Sequence, residues 1–432
     1  MAKAELYQPL LKDRGEEVKV SPPGLEESEE RFVAALRDYC AGKNGGPPPG
    51  TELFLLRNLT RSKGVGFFDT AGFYPDFILW VKNEDESQKV VFVEPHGMRN
   101  DDPPPNNEKV DLYLWLEDLS DRIEARDGPR GVSLDSYIVS ATPFHELSKK
   151  WGEGWTRERF ARRHVLFEDD LDDRISALLQ PRDELERRVS ATYPPSLASG
   201  FGALTRIVDP RDLYREQLRV AENVLAFLAS VSLALLKEED RGAIDPREYW
   251  SKGASPGDWK KITQICSKIF AGYGDVPLAT AIHKLKIGTE QKGFGRDVKG
   301  LIKAKNDYKH DRGSTSLGAI MDASDEAQDM LRRCMEALTF LVDHPLFEGK
   351  GPGNRDDLFL DPGNGDRVSL YPFVTRAACP DCAADETYLI DAWDTKKGTA
   401  RLKSFERGHT MLNEEVAEAL QEWSDNVRSD VS

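Results

Sequence analysis

The stretch FYPDFILWVKNEDESQKVVFVEPHGMR, Phe73 to Arg99, constrains the fold more than any other part of the chain. Two apolar, β-prone runs flank a charged turn, which is the pattern of a hairpin. Each run carries one carboxylate at a position whose alternation partners are apolar. Asp76 falls in step with Ile78 and Trp80, and Glu94 with Val90 and Phe92. A turn centred on Asp85 pairs residues whose numbers sum to 170, and Asp76 and Glu94 satisfy that sum. They are expected opposite each other on one face, with side chains roughly 5 Å apart. Like charges held that close on an apolar sheet repel each other. A divalent cation removes the repulsion, and a hard, oxygen-liking ion such as Mg²⁺ (or Mn²⁺) suits the donors best. The alternative is a solvated hairpin face with no metal.

The elements around this hairpin suggest a small mixed α/β domain. Residues 1–25 read as an extended lead-in ending in the breakers Ser21-Pro22-Pro23-Gly24. A helix is predicted from about Glu26 to Cys40, with Phe32, Val33, Leu36, Tyr39 and Cys40 as its apolar stripe. Glu29 shares that face, which suggests either a functional carboxylate or a first-turn acid favoured by the helix dipole. Glu52–Leu59 reads as a strand or short helix, followed by strands over Phe73–Val81 and Lys89–Pro95. An amphipathic helix over Lys109–Arg126 and a buried strand over Ser136–Ala141 complete an α–β–β–β–α–β order. The first domain is placed at 1–195.

Residues 205–350 read as an all-α domain, with helices over Asp212–Lys237, Trp259–Phe270, Pro277–Lys286, Gly295–Tyr308 and Ala323–Val342. Gly349–Asp366 reads as a linker. Residues 351–432 read as a small β-rich module with strands at Val368–Val374, Thr387–Trp393 and Ala400–Phe405, closed by a helix over Asn413–Val427.

Composition narrows the partners. The 432 residues carry a formal net charge of −16, so any contact with phosphates must come from local basic patches. No secretory leader is expected in MAKAELYQPLLKDRGEE, and no run approaches the roughly 18 apolar residues of a membrane span. Five cysteines, only two of them close together, point to a reducing cytoplasm. No GxxxxGK[ST] motif occurs, so an energy-using partner would be a separate chain.

Several blocks resemble a known family. Ser21-Pro22-x-Gly24-Leu25, Ser28-Glu29, Phe32-Val33, Leu55-Leu56-Arg57-Asn58-Leu59, Lys63-Gly64-Val65-Gly66-Phe67-Phe68 and Phe73-Tyr74-Pro75-Asp76-Phe77-Ile78-Leu79-Trp80 follow in order. Over roughly residues 5–145 this resembles the PD-(D/E)XK nuclease region attached to type III restriction subunits and related helicases. The resemblance implies a restriction-endonuclease-like core, a DNA substrate, a bacterial restriction or antiviral role and a helicase or ATPase partner. On that reading Asp76 and Glu94 bind the metal with the backbone carbonyl of Pro95, and Glu29 holds a water or a second ion. The residue two after the acid, usually lysine in the family, is His96 here. Histidine can act as a base near neutral pH, a displaced lysine such as Lys109 could substitute, or His96 is a plain turn residue. Arg57, Arg61 and Lys63 form a candidate phosphate-contacting loop, or a solvated basic one. A second cluster, Arg157, Arg159, Arg162, Arg163 and His164, is better explained by pairing with the acidic run Glu168–Asp173.

Two further motifs stand apart. Lys305-Asn306 followed by His310 resembles the motif of HEPN domains, helical modules of bacterial defence and toxin proteins, many of them RNases. That resemblance implies metal-free RNA cleavage, or dimerisation through the helical domain. The plainer reading has Asn306 and His310 finishing a helix before Gly313. Cys379-Pro380-Asp381-Cys382 is half of a zinc knuckle, with His409 as a candidate third ligand. A reduced pair in a turn, or a site shared between two copies, are the other readings. The favoured function is a metal-dependent DNA endonuclease. Its rivals are a decayed nuclease fold that binds DNA or protein, and an RNase toxin.

Overall fold

The computed structural model describes residues 3–5, 24–58, 65–66, 74–104, 107–127, 131–152, 154–180, 184–245, 247–251, 253–310, 316–351, 356–376, 387–394, 396–405 and 410–429. The chain divides into two compact units, 1–182 and 183–432.

The first unit is built on a six-stranded mixed sheet whose spatial order follows the sequence: β1 (Lys3–Glu5), β2 (Glu52–Arg57), β3 (Phe77–Lys82), β4 (Gln88–His96), β5 (Val132–Ser140) and β6 (Val165–Phe167). β2, β3 and β4 form an antiparallel meander. β1 lies parallel to β2, and β4, β5 and β6 run parallel to one another. A parallel neighbour needs a crossover, supplied between β4 and β5 by α2 (Leu112–Asp127). α1 (Glu27–Cys40) covers one face, packing Phe32, Leu36 and Tyr39 with Leu53, Leu79, Val81, Val91 and Val93. On the other face α2 sets Leu112 and Leu116 against Phe92, flanked by Ile78, Val90 and Leu134. Strict alternation along β3 decides this division, with Phe77, Leu79 and Val81 on the α1 side and Ile78 and Trp80 on the α2 side.

After β5 come α3 (Phe144–Trp151) and α4 (Arg157–Arg162), and after β6 the single turn α5 (Leu171–Arg174). Arg157 pairs with Asp169 and Asp170 at 2.8 and 2.9 Å, and Arg174 with Asp170 and Glu158. Of the basic cluster, Arg157 is answered by the acidic run that follows it, while Arg159 donates to the Gly154 carbonyl, Arg163 to the Tyr113 hydroxyl, and His164 meets Asp135. β6 is too short for its apolar run to register as a strand in the sequence.

The second unit holds α6 (Glu184–Thr192), α7 (Pro195–Ala203), α8 (Pro210–Ala234), α9 (Arg247–Trp250), α10 (Pro256–Ile269), α11 (Pro277–Lys284), α12 (Gly293–Lys309) and α13 (Leu317–Ala337). Two small antiparallel sheets follow. β7 (Leu346–Lys350), β8 (Asp356–Leu360) and β9 (Val368–Ser369) form one. β10 (Val374–Thr375), β11 (Tyr388–Asp394), β12 (Thr399–Ser404) and β13 (Thr410–Asn413) form the other, and α14 (Glu414–Ser429) ends the chain. The stretch expected to be a linker thus holds the end of β7 and all of β8, which pair with each other. Its Gly, Asn and Asp content hides the alternation of Leu358 and Leu360, both buried in the main helical core with Trp250, Leu278, Phe373 and Tyr388. The helices and C-terminal strands share that one core, and the structure draws one boundary, near residue 182. Among the described residues no helix is long and apolar enough to cross a membrane.

Candidate active site

The register of the β3–β4 hairpin is the one the sum rule gives: Phe77 opposes Val93 and Ile78 opposes Phe92. The next pair outward is Asp76 and Glu94. Asp76 stands just outside the ladder because its amide donates to Glu94 Oε2 at 3.1 Å, in place of a cross-strand carbonyl. Its own carbonyl accepts from the amide of Asn58 at 2.7 Å. The Asn58 side chain donates to the carbonyls of Pro75 at 2.8 Å and Val65 at 2.7 Å, and its Oδ1 accepts from the Val65 amide. Asn58 therefore pins the backbone approach to Asp76 from the neighbouring strand.

Burial and charge crowding set the ionisation of the pair. Glu94 is pushed up to about 8, first by burial and then by the charge of Asp76, with Lys109 pulling the other way. Asp76 is pushed up to about 6 by burial and by Glu29, opposed by Arg57. Lys109 Nζ lies 3.9 Å from Glu94 Oε1. This lysine comes from the loop before α2, not from β4.

His96 shares the face of Glu94 by alternation, two residues further along β4. Burial, then the charge of Lys109, lowers its pKa below the usual imidazole range. Its Nε2 is 3.8 Å from Asp101 Oδ2, an oxygen that is buried with no hydrogen bond. Pro95 carries its carbonyl within 3.5 Å of the Ser28 hydroxyl. The approach of Asp101 to His96 was not legible in the sequence, because Asp101 sits in a polar loop that gives no periodic signal.

Glu29 and Arg57 have different partners from those expected. They form a buried ion pair with each other, with Arg57 Nη2 at 2.9 and 3.2 Å from the two carboxylate oxygens. Glu29 Oε2 also accepts from the Glu26 amide at 2.7 Å, one half of a capping box at the start of α1. The unusual buried acid is thus answered by an arginine on β2 and by an uncapped helix amide. Arg57 spends its guanidinium on that acid and is only 12% exposed, where a phosphate-contacting group would need to be open.

A second charged cluster lies beside the pair. His164, in the left-handed region at φ 56°, stacks between Tyr113 and Tyr137 and meets Asp135 at 2.7 Å. Asp135 also pairs with Lys89 at 2.8 Å. Burial pushes the Asp135 carboxyl up, but His164 and Lys89 more than offset it and hold it at about 2. His164 lines the same narrow pocket as Glu94 and Lys109.

The candidates of the helical region belong to the second unit. Lys305 lies on α12 and pairs with Glu222 of α8 at 3.3 Å. Asn306 and His310 are exposed at the C-terminal end of α12, where the His310 amide donates to the Asn306 carbonyl at 3.1 Å. Arg61, Lys63, Cys379, Cys382 and His409 lie outside the described residues. Among the described residues, no group of three or more His, Cys, Asp or Glu side chains is placed to hold a metal ion. The hairpin end brings together two carboxylates, Asp76 and Glu94, both hard oxygen donors. That set suits an ion such as Mg²⁺, which keeps several of its own waters.

No protein-family model, curated protein or solved structure matches the chain. Function has to be argued from this geometry.

Proposed function

We propose that the first unit is a Mg²⁺- or Mn²⁺-dependent DNA endonuclease. The observation that carries the reading is the Asp76–Glu94 pair, two part-buried carboxylates aligned across one hairpin whose ion-pair contact among the described residues is Lys109, 3.9 Å from Glu94. Asp76, Glu94 and the Pro95 carbonyl would hold the ion. Bound there, it would polarise a phosphate oxygen and acidify a water. Both carboxyls must be ionised to hold a cation, so binding displaces the proton that Glu94 retains at neutral pH. Lys109, beside Glu94, supplies positive charge where a phosphate would sit. His96, kept neutral near pH 7 by burial and by Lys109, is able to accept a proton from the attacking water.

A role in bacterial restriction or antiviral defence, in a reducing cytoplasm and with a separate helicase or ATPase, is the biological setting that this reading suggests. The described cysteines Cys40, Cys266 and Cys334 are free thiols, in keeping with such a compartment.

Incubating the purified protein with plasmid DNA and with RNA, in Mg²⁺ or in EDTA, tests the proposal. Metal-dependent nicking or linearisation that disappears in Asp76→Ala is the expected result. RNA loss that survives EDTA and disappears in His310→Ala would instead assign the activity to the helical unit. DNA binding without cleavage under every condition would assign the fold to a binding platform.

A further inference from the structure

The second unit contains a cavity of about 810 Å³, within the range of small-molecule sites. Its walls are mostly apolar, formed by Leu285 after α11, by Phe294 of α12 and by Phe340 after α13. Its lining also includes the exposed Lys284, Lys286 and Lys292, and no Asp or Glu lines it. Among the described residues none of these three lysines has an acidic partner. The nearest acid in sequence, Glu290, is already taken by Lys260 at 2.5 Å and Lys299 at 2.9 Å. In a chain with 75 acidic and 59 basic residues, three uncompensated ammonium groups around one cavity leave a local positive field.

The backbone reinforces that field. α12 starts at Gly293 inside the cavity wall, and its N-cap residue, Lys292, makes no side-chain cap. The first-turn amides have no helical partner of their own. A Cβ at Gly295 would lie 2.5 Å from the Thr289 carbonyl oxygen and 2.8 Å from that of Ile287. The missing side chain lets the turn that carries Lys286 close onto the start of the helix.

We propose that this cavity binds a nucleotide, with the phosphates at the three lysines and the α12 amides and the base against Phe294 and Phe340. Three lysines lining one cavity call for several negative charges on one ligand, which a lone carboxylate does not supply. The remaining wall offers aromatic surface to a flat ring, and the Thr280 and Thr289 hydroxyls offer partners for its polar edge.

Isothermal titration calorimetry on the full chain, with ATP, AMP, inorganic phosphate and oleate as separate probes, tests this. EDTA is present throughout so that no metal–nucleotide complex forms at the first unit. The expected result is saturable ATP binding, tighter than AMP or phosphate and weakening with salt. Each lysine contributes about tenfold, so Lys286→Glu with Lys292→Glu should weaken ATP by about a hundredfold or more. These lysines are exposed, and the circular dichroism of the variant should match wild type. The absence of saturable ATP binding, ATP affinity unchanged in the double variant, equal affinity for phosphate, or binding of oleate in place of ATP would each overturn the proposal.

Discussion

Replacing Glu94 by glutamine separates the electrostatic account of the hairpin from a merely geometric one. Glu94 carries a folded pKa of about 8 against 4.5 for the free side chain. Below about pH 4.5 the folded and unfolded chains both hold the proton, and Glu94 makes no difference. Between about 4.5 and 8 the unfolded chain has lost the proton and the folded chain keeps it, so stability falls as pH rises. Above about 8 both are ionised and the loss is complete. The slope is about 1.4 kcal/mol per pH unit, which over that window sets a ceiling of about 5 kcal/mol. Relaxation of the surroundings reduces this, and a difference of about 2 kcal/mol is expected. Glu94→Gln keeps the shape and removes the titration.

Urea unfolding of both proteins at pH 5, 6, 7 and 8 in EDTA reads the effect as the difference between them, which cancels the carboxylates that do not interact with Glu94. Wild type should lose stability relative to the variant as pH rises. Millimolar Mg²⁺ should then restore wild type at pH 8, where the acid pair ionises readily, and leave Glu94→Gln nearly unmoved. Parallel pH profiles for the two proteins would refute the claim that Glu94 is held protonated by burial and by Asp76. Equal stabilisation of both by Mg²⁺ would place the ion elsewhere.

Lys109→Ala should lower the rate of metal-dependent cleavage by roughly a hundredfold, the scale of removing one charge-stabilising donor. Because Lys109 depresses the pKa of both Glu94 and His96, the acidic limb of the pH–rate profile should also move to higher pH. A loss of rate with no displacement of that limb would assign Lys109 to substrate binding alone. Arg57→Ala strands Glu29 as an unpaired buried charge and should destabilise by about 3–5 kcal/mol, measured by urea unfolding at pH 7. Adding Glu29→Gln should recover much of that, whereas equal destabilisation in single and double variants would mean that the pair is not coupled.

What the sequence disclosed and what it hid follow from the range of the forces involved. Register along β3 and β4 was legible because alternation is local and the turn around Asp85 fixes the offset. The burial of Glu29 was legible from the stripe of Phe32, Val33 and Leu36. Its partner was not, because Arg57 comes from a strand 28 positions away and its neighbours Arg61 and Lys63 make it look like part of a solvent-facing basic loop. Lys109 reaches Glu94 only through the path of the loop before α2, and no local pattern encodes that path. β7 and β8 were missed because glycine and aspartate are poor strand formers on their own. Leu358 and Leu360 are held in strands by a helical core from distant parts of the chain.

The contrast between the acids of this region argues for function more strongly than any one distance. Glu29 is buried and is given a cation, Arg57, whose Nη2 meets both carboxylate oxygens, which is how a fold accommodates an acid whose role is structural. Asp76 and Glu94 are placed against each other with less. Lys109 stands 3.9 Å from one oxygen of Glu94 and is itself 37% exposed, too distant and too well solvated to neutralise two carboxylates. Left alone, such a pair must either hold protons well above the usual carboxylate range or take up a cation from solution. The first course weakens the folded chain across the physiological pH range, and an amide or an aliphatic side chain at position 94 would avoid the loss. Retaining both acids at aligned positions, with Asn58 fixing the backbone of one, makes sense when the second course is the working state.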